Sequence, residues 1–314
     1  MEVISMPMWA WILFYALVIV MLYADLKLFG RKGQHEVSIK EALQMTCVWI
    51  AVSLIFCAGI GHFENGDKAM EFLAGYLIEK SLSMDNLFVF LMLFSFFGVQ
   101  RKYQHKVLFW GIFGALILRS IFIFAGAAMV QRFEWILAIF GVFLIYTGIK
   151  MFGHQEESVD PSKNIFVKLF KKFFPVTDQM HEDKFFIIEN GKRLATPLFI
   201  ALLVIETTDV AFAVDSIPAV FSVSRDPFIV LTSNIFAILG LRALYFALAA
   251  IAQYFQYLKY GLGIILSFVG VKMLLEVFWH IKVDTPISLL IIFGVLVLSM
   301  VTSYVATSYS RRRQ

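Results

Sequence analysis

ETTDVAFAVDSIPAVF, Glu206 to Phe221, puts three carboxylates, Glu206, Asp209 and Asp215, into a segment preceded by PLFIALLVI and followed by SVS. A charge at the centre of a bilayer costs about 2.5–3.5 kcal/mol even on the insertion scale, so acids in such a run need partners or a purpose. Glu206 and Asp209 are three residues apart and share one helix face. Asp215 lies a further six residues on, about 120° round and ~9 Å along an ideal helix. Pro218 cannot donate to the carbonyl of Val214, so the sequence predicts a break there and a freed carbonyl beside Asp215.

The rest of the chain has the same character. Of its 314 residues 60% are hydrophobic and only 16% are charged, against about 25% charged in soluble domains. Mean hydropathy is +0.79. This is the composition of a polytopic membrane protein. The net charge of +4 implies no nucleic-acid partner, because the basic residues gather in particular loops. Cys47 and Cys57 are ten residues apart on one apolar run, about 15 Å along a helix, too far for a disulfide.

Runs near the ~20 residues that cross hydrocarbon fall at 7–27, 41–61, 70–97, 107–130, 133–152, 195–222, 228–251, 257–279 and 286–307. These give an expectation of nine spans in an all-α fold. The first has no basic region before it and no small-residue cleavage site, and reads as a span rather than a signal peptide. Lys27, Arg31, Lys32, Lys40, Arg101, Lys102, Lys106, Lys259 and Arg311 to Arg313 mark one set of loops. The positive-inside rule then puts the N-terminus outside and the C-terminus in the cytoplasm. Between the fifth and sixth spans, 153–194 forms a basic cytoplasmic loop. Within it NIFVKLFKKFFP is an amphipathic helix, destined for the bilayer surface or for packing on its own protein. KFFIIENGKRLAT reads as two short strands around Asn190-Gly191.

The chain also repeats itself. GALILRSIFIFAGAAM from Gly114 resembles AILGLRALYFALAAI from Ala237, matching Arg119 with Arg242. GVFLIYTGIKM resembles IILSFVGVKM, matching Lys150 with Lys272, and Glu79-KSLSM-Asp85-Asn86 matches Asp209-VAFAV-Asp215-Ser216. The units, 70–152 and 195–279, hold three spans each, so the second enters the membrane inverted. Inverted repeats with polar groups at midplane mark secondary transporters.

Five acids therefore sit mid-span: Glu79, Asp85, Glu206, Asp209 and Asp215. Against Lys80, Arg119 and Arg242 they leave a formal −2, which one divalent cation neutralises. Both arginines are expected to face these acids. Asn86, Ser216 and Asn234 are polar neighbours able to hydrogen-bond across helices. Asp25, near the inner end of the first span, is ambiguous between helix-end solvation and function. Oxygen donors without a His–Cys cluster suit Mg²⁺, Ca²⁺ or Mn²⁺. The bland account has the acids merely pairing with Arg119, Arg242 and Lys80 to fix helix register.

Three stretches carry a family resemblance: GYLIEKSLSMDNLFVFLMLFS (75–95), ETTDVAFAVDSIPAVFSVSRDPFIVLTSNIFAILGLRALYF (206–246) and LKYGLGIILSFVGVKML (258–274). With LYADLKLFGRKG at the end of the first span, the chain resembles the TerC family of integral membrane proteins, most closely its Alx branch. The resemblance implies an inner-membrane metal-ion transporter, similar to manganese exporters of the LysE-like superfamily, with Mn²⁺ as cargo and no prosthetic group. It also implies that Glu79, Asp85, Glu206, Asp209 and Asp215 are the functional acids. One departure is Thr207-Thr208, where relatives have Leu-Ser or Leu-Thr. An alternative is a non-transporting membrane factor that assists protein insertion or metalation. An intramembrane protease is disfavoured, because HEVSI and HEDKF fail the HExxH pattern.

Overall fold

The computed structural model describes residues 6–30, 39–133, 135–153, 164–177, 179, 181–189, 191–251 and 258–312. Eleven helices and one hairpin are described: α1 Met8–Gly30, α2 Ile39–Phe63, α3 Gly66–Phe96, α4 Arg101–Arg132, α5 Trp135–Lys150, α6 Ile165–Phe173, β1 Phe186–Glu189, β2 Lys192–Ala195, α7 Pro197–Phe221, α8 Pro227–Leu239, α9 Leu241–Ile251, α10 Leu258–Trp279 and α11 Thr285–Arg312. Local chemistry sets several ends. Asn65 caps α3 by accepting from the Lys68 amide at 2.8 Å. Asp226 caps α8 by accepting from the Phe228 amide at 3.0 Å, with Pro227 preset for the first helical position.

Six helices are long and apolar enough to cross a membrane, namely α1, α2, α4, α7, α10 and α11. The pair α8–α9, bent by 41° at Gly240, makes a seventh if counted as one broken span. Of the nine expected spans, α3 and α5 stand as helices in their places without meeting that measure. In α3, Glu79, Lys80 and Asp85 lie too close together. The 16 residues of α5 reach only about 24 Å at 1.5 Å each.

The expected break at Pro218 falls elsewhere. α7 runs through Pro218 to Phe221, and its last turn, Ile217 to Phe221, is wholly buried. Packing of that turn holds the helix despite the lost bond to Val214. The sharp bend is at Gly240 instead.

Glycines let backbones meet where the bundle is tightest. A Cβ on Gly141 would lie 2.9 Å from the Gly270 carbonyl oxygen, and one on Gly263 would lie 2.7 Å from that of Gly148. α5 and α10 therefore run antiparallel with two glycine contacts seven residues apart, the small-residue packing that membrane helices favour. α3 and α8 close in the same way, Gly75 against Ser233. An aromatic core of Phe14, Phe56, Phe72, Phe228 and Phe236 joins α1, α2, α3 and α8, its closest pair, Phe56 and Phe236, having ring centroids 4.6 Å apart.

The hairpin forms as read, with Phe186 opposite Ala195 and Glu189 opposite Lys192. Gly191 adopts φ +74° in its turn, while Asn190 lies outside the described residues. Lys106 ties the loop to α4, donating to Asp183 Oδ2 at 2.9 Å. α6 packs on its own protein. Asn164, its cap, donates to Thr207 of α7 at 2.9 Å, and Phe170 meets Phe199 at 5.1 Å. Ile165, Phe166, Leu169 and Phe173 remain exposed on its other side.

Candidate functional site

One guanidinium joins three helices at the centre of the bundle. Arg119 of α4 is fully buried, as is Glu79 of α3; Asp209 of α7 is 4% exposed. Arg119 donates from Nε and Nη2 to the two carboxylate oxygens of Asp209, at 3.0 and 2.8 Å. This is the forked geometry in which arginine binds carboxylates most strongly. Its Nη1 pairs with Glu79 Oε1 and reaches Ser216 Oγ at 3.4 Å and Asn234 Oδ1 at 3.5 Å. Asn234 of α8 donates back to Glu79 Oε2 at 2.8 Å. Ser83, one turn after Glu79, donates to its carbonyl at 2.6 Å. A fully desolvated charge is tolerated only when paired and hydrogen-bonded, and here each of the three is.

The placement follows from local sequence. α4 and α7 run parallel, with Gly111 against Ile205 and Gly126 against Phe221. Those contacts bring Arg119 opposite Asp209. A Cβ on Gly114 would collide with the carboxylate of Glu206, so a side chain there would oblige that carboxylate to shift. Glu206 Oε2 is buried and accepts no hydrogen bond.

The remaining expected site residues are spread out. Asp215 receives a bond from Thr147 of α5 at 3.4 Å. Asn86 is buried in α3. Asp85 lies in the same helix, but its side chain falls outside the described residues. Pro218 is buried two positions after Ser216. Among the described residues, no three His, Cys, Asp or Glu side chains converge as a metal cage. Two acids are instead held by an arginine.

Arg242 departs from expectation. It faces Asp25 of α1 rather than the acid cluster, at 2.9 Å to Oδ2 and 2.6 Å to the Asp25 carbonyl. The cause is the bend at Gly240, which carries α9 off the line of α8 two residues before Arg242. Asp25, 4% exposed, is thereby a buried ion-pair member and not a solvated helix end. Lys80, counted with the arginines against the acids, also reaches outside the cluster. Its ammonium donates to the Ala237 carbonyl at the end of α8, at 3.1 Å. The glycine interrupting an otherwise apolar run, in AILGLR, was the available sign of that break.

The profile of the integral membrane protein TerC family matches residues 64–313. An "Uncharacterized membrane protein STKORF319" of Myxococcus xanthus is 47% identical over 300 residues, covering 96% of this chain and 93% of that protein. The "Putative membrane-bound redox modulator Alx" of Escherichia coli K12 is 46% identical over 310 residues, covering 96% and 95%. An uncharacterized membrane protein of Rickettsia bellii is 40% identical over 296 residues, covering 94% and 97%. No solved structure matches. With a matched family profile over most of its length and close Alx relatives end to end, the chain belongs to the TerC family of integral membrane proteins.

Proposed function

We propose that the chain exports a divalent cation, Mn²⁺, from the cytoplasm across the inner membrane, in exchange for protons. The observation that carries this reading is the Glu79–Arg119–Asp209 arrangement: two buried acids from different helices share one cation. A purely structural pair would need one acid. Glu79 and Asp209 against Arg119 leave a single negative charge, with Glu206 one turn before Asp209. When Arg119 withdraws, the carboxylates of Glu79 and Asp209, with Ser216 Oγ and Asn234 Oδ1, offer an all-oxygen donor set suited to a hard divalent ion. When the ion leaves, Arg119 returns, so the emptied site does not hold its full negative charge in a low dielectric. The resemblance to manganese exporters of the LysE-like superfamily selects Mn²⁺ within that class.

The inverted repeat supports the same reading. Sequence matching equates Gly141 with Gly263 and Gly148 with Gly270. The contacts Gly141–Gly270 and Gly148–Gly263 exchange into one another under that equivalence, as a pseudo-two-fold axis requires. Nine spans, N-terminus outside and C-terminus inside, then follow if α3 and α5 cross despite their charge and length.

Purified protein in liposomes, followed with a Mn²⁺-quenched dye, tests the reading. Parent protein is expected to move Mn²⁺ and to acidify or alkalinise the lumen in step. Asp209→Asn, which keeps volume but loses a ligand, is expected to abolish flux while folding normally. Intact flux through well-folded Asp209→Asn would remove the site from α7. Absent flux in the parent would favour the non-transporting alternative.

A further inference from the structure

We propose that α9 is the gate on the cytoplasmic side of the site, with Gly240 as its hinge and the Asp25–Arg242 pair as its latch; this rests on the transport reading above.

The central site is shut, with Glu79 and Arg119 fully buried, so some element must move to admit an ion. α8 and α9 form the one described helix pair that bends sharply within a span. α8 carries Asn234, a member of the site. α9 packs chiefly on α2 and also on α3 and α4, with Leu241, Ala243, Tyr245, Ala247 and Leu248 buried, and it reaches α1 through Arg242.

Three polar contacts hold the bend in its present angle, and each crosses to a different helix. Lys80 of α3 donates to the Ala237 carbonyl, on the last turn of α8. Arg242 grips both the carboxylate and the carbonyl of Asp25 in α1. Tyr245 donates to Gln104 of α4 at 2.9 Å. Gly240 lets this happen, because a Cβ there would lie 3.0 Å from Lys80 Nζ and 3.1 Å from Trp49 Cβ. The second carboxylate oxygen of Asp25 is buried and accepts no hydrogen bond.

The link between site and gate is a matter of adjacency. Glu79 and Lys80 are consecutive residues of α3, and they hold Asn234 and Ala237, one turn apart on α8. An ion that draws Glu79 away from Asn234 shifts α3 against α8, and the same shift pulls Lys80 from the Ala237 carbonyl. The end of α8 is then freed three residues before the hinge. Gating by discontinuous helices beside the binding site is a recurrent device of transporters.

The experiment follows the exposure of α9. Cys47→Ser and Cys57→Ser remove native thiols, Ala247→Cys supplies a buried reporter, and a membrane-impermeant maleimide is applied to inside-out vesicles. Labelling is expected to be slow in this parent and about tenfold faster with Asp25→Asn, the scale of a typical coupling between two states. The charge swap Asp25→Arg with Arg242→Asp is expected to restore slow labelling. Tyr245→Phe, which removes one hydroxyl and leaves the ion pair intact, is expected to accelerate it as well, and serves if Asp25→Asn fails to fold. Unchanged labelling in both folded variants would overturn the gate. So would a swap that labels as fast as Asp25→Asn. Mn²⁺ flux is measured in the same vesicles: flux with unresponsive labelling removes the gate alone, whereas responsive labelling without parent flux removes the transport reading alone.

Discussion

Replacing Arg119 by Gln tests whether the arginine is a stand-in for the metal. The substitution deletes two bonds to Asp209, the pair with Glu79 and the contacts to Ser216 and Asn234. It leaves two buried acids without a cation. Breaking a buried pair by removing one partner costs about 3–5 kcal/mol. At roughly 2–4 °C per kcal/mol for chains of 150–250 residues, that lowers the apparent Tm by about 6–20 °C. The stand-in account adds a second expectation. With Arg119 gone, Mn²⁺ meets no competitor, so the variant binds it more tightly than the parent does. An ion at a hundred times its Kd restores about 2.7 kcal/mol, most of the smaller loss. The assay is thermal unfolding of detergent-purified protein, followed by intrinsic fluorescence, across a Mn²⁺ titration. Mg²⁺ and a chelator serve as controls. Arg119→Lys keeps the charge but not the fork, and should lie between parent and Arg119→Gln. An Arg119→Gln protein as stable as the parent, or one destabilised but indifferent to Mn²⁺, would refute the reasoning.

Gly114→Ala puts a methyl group where the Glu206 carboxylate sits and obliges that carboxylate to move; Mn²⁺ flux in liposomes should fall while folded yield and membrane insertion stay near those of the parent. Pro218→Ala can restore the amide bond to Val214 inside a helix that is already continuous. Denaturation should show equal or greater stability, and flux near that of the parent would confirm that the bend that matters is elsewhere. Hydrogen bonding to Lys106 holds the Asp183 carboxyl below its ordinary value of 3.8. Its folded-state pKa being depressed, the contact stabilises the loop above that ordinary value and is lost as pH falls through the lower one. Lys106→Ala should abolish this acid dependence of loop protection, measured by limited proteolysis, with only a small effect because Asp183 is half-exposed.

The helices were legible because their apolar runs are long, although the caps at Asn65, Asp226 and Asn164 went unread. The pairing of Glu79 and Asp209 with Arg119 was legible because charges inside hydrocarbon have few alternatives. The fate of Arg242 was not, since its partner lies 217 positions away and depends on a bend the sequence barely marks. A glycine inside an apolar run costs only ~1 kcal/mol against alanine, so Gly240 gave a weak signal, while Pro218 gave a strong one that tertiary packing overrode. Gly114 was invisible for a related reason. A small residue on a membrane helix shows its purpose only when the neighbouring helix is in place.

The glycine seam between α5 and α10 has a mechanical consequence. At Gly141–Gly270 and Gly148–Gly263 the two backbones meet directly, with side chains such as Ile145 and Leu274 wedged beside the contact rather than between the main chains. A slide of one turn, about 5.4 Å, would drive Ile145 or Leu274, which already flank Gly270 and Gly141, into the opposing main chain. The seam therefore resists translation along its axis and behaves as a strut. Any rocking that exposes the carboxylates first to one face and then to the other has to pivot about this strut, with α3 and α8 as the members that travel.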